Sequence, residues 1–339
     1  LLEPASRARL GPPSGIDAEV AVPDPTALPQ LAPRLFLTDG GLETTLIFHG
    51  GFELPDFAAF PLIETEVGRA ALEQYYRSYI EIAERHATGI VLETPTWRAS
   101  ADWGDRLGYS PEALRAVNAA AVELLQRVRA EHAAGGAPIV ISGNLGPRGD
   151  GYAPSSAMSA TEAEQYHREQ VESLVDAGAE LITALTITNV DEAIGIVRAA
   201  VSVDAPVVIS FTVEVDGLLP SGQRLVDAIA ELDAATAAGA AYVMVNCAHP
   251  THLMPALEAG SPTLARIRGV RANASTRSHA ELDEADELDA GDPADLGQRY
   301  RELTALLPAL TIMGGCCGTD DRHIDTIAAA CAPLFAARE

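Results

Sequence analysis

The strongest constraint on this chain is a repeating alternation of short apolar runs with longer amphipathic ones. From residue 35 onward there are eight strand-like runs: Leu35–Asp39, Ile90–Thr94, Pro138–Ser142, Glu180–Thr186, Pro206–Phe211, Ala241–Asn246, Arg266–Val270 and Leu310–Met313. Helix-like stretches such as Thr65–His86, Pro111–His132, Thr161–Ala177, Leu225–Ala238 and Ala294–Leu307 lie between them. The strand runs are continuously hydrophobic, as expected of strands covered on both faces in a parallel sheet. Eight such units predict a single α/β domain over residues 35–339, a (β/α)8 TIM barrel with its site at the C-terminal strand ends. An open doubly wound sheet is the weaker fit, because Asp39-Gly40-Gly41-Leu42-Glu43 lacks the spacing of a dinucleotide turn. Residues 1–34, rich in Pro, Ala and charge, read as a loose N-terminal extension. Ser110-Pro111-Glu112 and Thr161 with Glu164 are expected to start helices, and Gly89, Gly178 and Gly239 to cap them.

Composition removes whole mechanisms. All 23 basic residues are arginine, so a Schiff-base enzyme, a pyridoxal enzyme and a Walker-type phosphate loop lack the lysine they need. A net charge of -25 argues against nucleic acid as a partner. No apolar run approaches the ~18 residues of a membrane helix, so no membrane association is expected. Four cysteines are too few for a disulfide framework, and a reduced, cytoplasmic setting is the expectation. The segment His279–Asp295 holds eight acidic residues and reads as a solvated loop, without the ligand pattern of a calcium site.

Three of the cysteines stand just beyond predicted strands, Cys247 after the sixth and Cys316-Cys317 after the eighth, inside Gly314-Gly315-Cys316-Cys317-Gly318. In a barrel both strand ends open onto one rim. Adjacent side chains of a strand point to opposite faces, so the paired cysteines converge only where the backbone bends, which the flanking glycines permit. Three thiolates leave one position of a tetrahedral zinc ion open, the arrangement of a catalytic site. Packing as a small hydrophobe would account for any one of them alone, and accounts for Cys331 in its alanine-rich helix.

With these motifs the chain resembles the homocysteine S-methyltransferases, which include betaine-dependent and S-methylmethionine-dependent members and the methionine synthase module. The similarity spans about residues 35 to 330. It is carried by Asp39-Gly40-Gly41 with Thr44, Thr96-Trp97-Arg98-Ala99-Ser100, Gly143-Asn144-Leu145-Gly146-Pro147, Ile209-Ser210-Phe211-Thr212-Val213, Asn246-Cys247 and Gly314 to Gly318. The resemblance implies Zn2+ on Cys247, Cys316 and Cys317, and places Asp39 and Gly40 near the amino-acid substrate. Asn246 is counted with them. One departure concerns strand four, where Leu185 stands in place of the glutamate that holds the amino group of homocysteine in the family. Glu43 and Glu93 are acidic where the family is usually neutral, so one of them is expected to take over the amine. The competing expectation is an acceptor thiol without an amine. Arg271-Ala272-Asn273-Ala274-Ser275 replaces a Pro-Asn-Ser-Gly-like run and leaves the donor open.

The chemistry agrees with the resemblance. A free thiol with pKa near ~8.5 is mostly protonated at neutral pH, and coordination to zinc deprotonates it. A fourth thiolate on the ion brings the centre to about -2, which keeps sulfur nucleophilic and attracts a cationic donor. Trp97, Trp103, Tyr109 and Tyr152 are candidates to surround that cation. Arg98 and Arg271 are candidates for a carboxylate or phosphate, although rim arginines more often pair with acids, and the Gly143–Gly151 loop is a weak anion cradle. The expected function is zinc-dependent transfer of a methyl group from a sulfonium or quaternary ammonium donor to a zinc-bound thiolate, homocysteine giving methionine. Its partners are therefore a small thiol and a cationic methyl donor, with a homo-oligomer left open. Alternatives are another thiol acceptor, an inactive zinc-binding barrel, or a zinc hydrolase or lyase using His249, His252 or His323 as mixed ligands; the last lacks an HExxH motif.

Overall fold

The computed structural model describes residues 28–151, 158–278, 281 and 287–336. Tyr152 and residues 279–280 and 282–286 of the acidic segment lie outside them. Eight parallel strands close into a barrel in sequence order, β1 pairing with both β2 and β8. They are β1 (Phe36–Leu37), β2 (Gly89–Glu93), β3 (Ile139–Leu145), β4 (Leu181–Ile187), β5 (Val207–Thr212), β6 (Tyr242–Asn246), β7 (Ile267–Ala272) and β8 (Ile312–Gly315). The helices that follow them are α1 (Glu66–Arg85), α2 (Pro111–Glu131), α3 (Ala160–Asp176), α4 (Val190–Val201), α5 (Leu225–Thr236), the short α6 (Pro250–Leu253), α7 (Pro293–Leu306) and α8 (Asp321–Ala336). The (β/α)8 expectation is met, and every expected strand is present, β1 shortened to two residues. Among the described residues no helix is long and apolar enough to cross a membrane.

Side chains alternate between two cores, which is why the strand runs are apolar throughout. Leu37, Leu92, Ile141, Ile182, Ile209, Val245 and Val270 face the helices, while Phe36, Val91, Val140, Leu181, Val208, Tyr242, Met244 and Ile312 fill the barrel floor. The stretch expected to be loose contributes to that floor. Leu28 joins the floor cluster, and the buried Gln30, on a 3-10 turn over Pro29–Leu31, donates to Tyr242.

Helix ends follow local chemistry with two revisions. Ser110 caps α2 as expected, but the capping box of α3 is Ser159 with Glu162, two residues before the expected pair. Gly178 takes a left-handed φ of +95°, whereas after α1 and α5 that conformation falls on Ala87, Ala237 and Ala238. Gly89 instead opens β2, where a Cβ would come within 2.3 Å of the Phe36 ring. Close packing, not turn geometry, requires that glycine.

Candidate active site

Above the apolar floor the barrel interior turns polar. Ser142 and Thr183 share a hydrogen bond of 2.7 Å, and Ser210 donates to Asn246 at 2.7 Å. Arg271 of β7 lies in the same layer, with Nη1 2.9 Å from Glu93 of β2 and Nη2 2.6 Å from Asp39 just past β1. Its Nε donates to the Gly315 carbonyl, and the Tyr75 hydroxyl donates to Asp39. All three charged residues are at most 5% exposed, so each is held only by its partners. Burial raises both carboxyl pKa values, Glu93 to about 7, and Arg271 pulls both back down. For Arg271 burial works against the charge, and Asp39 and Glu93 together override it.

The three thiols converge on top of this layer. The Sγ atoms of Cys247, Cys316 and Cys317 all lie within 4.8 Å of one another, Cys247 and Cys317 at 3.9 Å. Tetrahedral thiolates at ~2.3 Å from a metal sit about 3.8 Å apart, so the donor set fits a divalent ion with one position left for a ligand. Among the described residues no histidine joins the cluster: His249 caps α6 through Nδ1, and His323 bonds Asp320 and the Ala290 carbonyl. Contact with Cys247 and then burial push Cys316 up to about 12, and the neighbouring thiols together with burial hold Cys317 well above the ordinary thiol range. Without a metal these sulfurs keep their protons.

Backbone strain supports the convergence. Cys247 adopts φ +54° and Thr186 φ +63°, a left-handed conformation that a β-branched residue rarely takes. The strand register slips between Ala184 and Ile187, which turns Thr186 inward. Asn246 then ties the strained Thr186 to Cys316. Its Oδ1 accepts from the Thr186 N–H, and its Nδ2 donates to Thr186 Oγ1 at 2.8 Å and toward Cys316 Sγ at 3.8 Å. Asn273 donates to the Cys247 carbonyl, and the Cys316 N–H bonds the Ala272 carbonyl. Strain of this kind costs roughly 1–3 kcal/mol per residue and persists where surroundings enforce it.

The Asp39-Gly40-Gly41 motif closes over the thiols from β1. Gly41 N–H bonds Thr319, and Thr44 Oγ1 accepts from Gly318 N–H, so the turn Leu42–Thr44 straps the Gly314–Thr319 loop. Glu43, on that turn, is half-buried, and its carboxyl is pushed up to about 7 by burial, with Cys316 and Asp39 adding to the rise.

The expected aromatic surround is organised differently. Arg98 lies between Trp97 at 4.1 Å and Trp103 at 3.7 Å, and donates to the Gly149 carbonyl. Two of the four candidate aromatics thus hold the protein's own cation and tie the loop after β2 to the Gly143–Gly151 loop. Tyr109 packs on Phe60 and bonds Glu64, and Tyr152 is outside the described residues. Leu185 is buried, its carbonyl accepting from the Trp97 indole at 3.3 Å. Sequence reasoning missed Thr186 and Tyr75. Thr186 carries no signal without the bulge, but the buried Tyr75, Tyr76 and Tyr79 of α1 were visible as three tyrosines within one helical turn.

This barrel, with its thiols at the strand ends, belongs to an enzyme class that moves methyl groups. The family model described as homocysteine S-methyltransferase matches residues 36–331, so the chain belongs to that family and is a methyltransferase. No curated protein matches the sequence. Among solved structures it is similar to the Escherichia coli homocysteine methyltransferase MmuM in its oxidized form, with a TM-score of 0.73 and 21% identity over 90% of this chain and 99% of that one. The metallated form of MmuM gives 0.69 and 23%, covering 90% and 99%. A methyltransferase from Methanosarcina mazei gives 0.52 and 13%, covering 91% and 98%. At these identities the likeness is one of fold.

Proposed function

We propose that the protein is a zinc-dependent thiol S-methyltransferase whose acceptor is homocysteine, giving methionine, and whose donor is a sulfonium or quaternary ammonium compound. The observation that carries this reading is the convergence of Cys247, Cys316 and Cys317 with one coordination position to spare. The metallated form of a structural neighbour in the same family supports a metal there. When bound, zinc supplies Lewis acidity that keeps the acceptor sulfur deprotonated and nucleophilic.

The chain's own residues do the rest. Asn246 orients Cys316 and the Thr186 bulge, so the thiols keep their places as an acceptor arrives. The Leu42–Thr44 turn is bonded to the Gly314–Thr319 loop and so steadies the segment that carries Cys316 and Cys317. Three thiolates with a divalent ion leave about one negative charge, and Asp39, Glu93 and Arg271 together leave another, so the mouth favours a cationic donor. In-line displacement then needs mainly positioning.

Metal analysis after mild purification, followed by a matrix of methyl donors against thiols read by mass spectrometry, tests the proposal. One zinc per chain and a +14 Da product on homocysteine are expected, about +14 being the mass of a transferred CH2 equivalent. Zinc with no transfer to any thiol would instead identify an inactive zinc-binding barrel.

A further inference from the structure

Three carboxylates surround the thiol cluster, and one guanidinium serves two of them. Arg271 spends Nη1 on Glu93, Nη2 on Asp39 and the Gly40 carbonyl, and Nε on the Gly315 carbonyl. Tyr75 supplies a further bond to Asp39. Arg271 balances one of their two charges, and protein donors already bond both carboxylates, Asp39 through Arg271 and Tyr75 and Glu93 through Arg271 and Thr183.

Glu43 is different. Its turn is pressed so close to the thiols that a Cβ on Gly41 would lie 2.7 Å from the Cys316 carbonyl oxygen. Its carboxylate is bonded by its own backbone N–H; the charge of Asp39, and that of Cys316 once a metal deprotonates it, act against it, and Arg271 acts for it from a distance. Among the described residues no arginine or histidine forms an ion pair with it. A half-buried carboxylate left unpaired in a negative pocket is costly, and a ligand cation removes that cost.

We propose, resting on the methyl-transfer reading above, that Glu43 holds the ammonium group of an amino-acid thiol acceptor, and that Arg271 directs this role to Glu43 by occupying Asp39 and Glu93. Leu185, on β4, is buried and apolar and offers no charge. The donor also carries a cation, but its charge disappears as the methyl group leaves. A carboxylate paired with it would stabilise the ground state more than the transition state and slow the reaction. The ammonium of the acceptor keeps its charge throughout, so pairing it with Glu43 carries no such penalty.

The test is calorimetric binding to the zinc-loaded protein of homocysteine and of 4-sulfanylbutanoate, which has the same chain without the amine. Wild type is expected to prefer homocysteine by about tenfold or more, and Glu43→Gln to lose that preference by weakening homocysteine alone. Glu93→Gln, which disturbs the Arg271 lock, is expected to weaken both thiols together. An unchanged preference in Glu43→Gln, no preference in wild type, or a loss confined to dimethylsulfoniopropionate, a sulfonium without an amine, would each overturn the assignment to the acceptor. Thiol binding that survives with an unaltered preference refutes only this inference. A zinc protein that binds neither thiol refutes the methyl-transfer reading as well.

Discussion

Asn246 carries the largest share of the site's geometry in one side chain, since its amide satisfies Thr186, Ser210 and Cys316 at once. Asn246→Ala is expected to weaken zinc affinity by about 10–100-fold, as removal of groups supporting metal ligands does, measured by competition with a chromophoric chelator. Arg271→Met leaves Asp39 and Glu93 buried without a cation, and a loss of about 3–5 kcal/mol in urea unfolding is expected. His249 gives a pH effect of defined sign. Burial, then His252, lowers its pKa to about 4, so Nδ1 stays unprotonated and accepts from the Thr251 N–H. The unfolded chain has an ordinary histidine near ~6.5, so this contribution is full above that pH and is lost as pH falls toward 4. In His249→Asn nothing titrates there, and the stability difference between the two proteins is expected to shrink over that window in thermal melts. At this scale the sequence showed the cysteines, because two strand ends and a glycine run name them directly. It did not show that Glu93 is paired, since its partner Arg271 lies 178 positions away.

Elements were the most legible level. Continuous apolar strands and amphipathic helices came through at nearly the expected boundaries, because both patterns depend on local periodicity. The exceptions are places where packing overrules local preference. Left-handed helix ends fell on Ala87, Ala237 and Ala238, and β4 carries a bulge that no residue in Thr183-Ala184-Leu185-Thr186 announces. The loop after β2 is another such case, because Arg98 fills the space between Trp97 and Trp103 that a ligand cation was expected to occupy. Arg98→Ala removes two cation–π contacts and the bond to Gly149, and a destabilisation of roughly 1–3 kcal/mol is expected. Faster amide exchange confined to Trp97–Ser100 and Gly146–Gly149 would locate that loss, whereas a uniform change across the barrel would contradict the riveting role.

Over the whole molecule a charge of -25 produces self-repulsion that the barrel tolerates through its two apolar cores. Raising ionic strength from about 10 to 150 mM shortens the Debye length from about 30 to 8 Å, so the melting temperature is expected to rise with salt. A falling melting temperature would show that surface ion pairs outweigh the repulsion. The sequence by itself determined the eightfold βα order, the absence of amine chemistry and the three thiols at two strand ends, because each is written in local pattern or composition. Tertiary structure alone decided which charges are available. Barrel closure brings β1, β2 and β7 around one interior, so Arg271 meets Asp39 and Glu93 there and, among the described residues, no cation pairs with Glu43. Pairing among buried charges depends on distances across the barrel, and local sequence pattern carries no information about those distances.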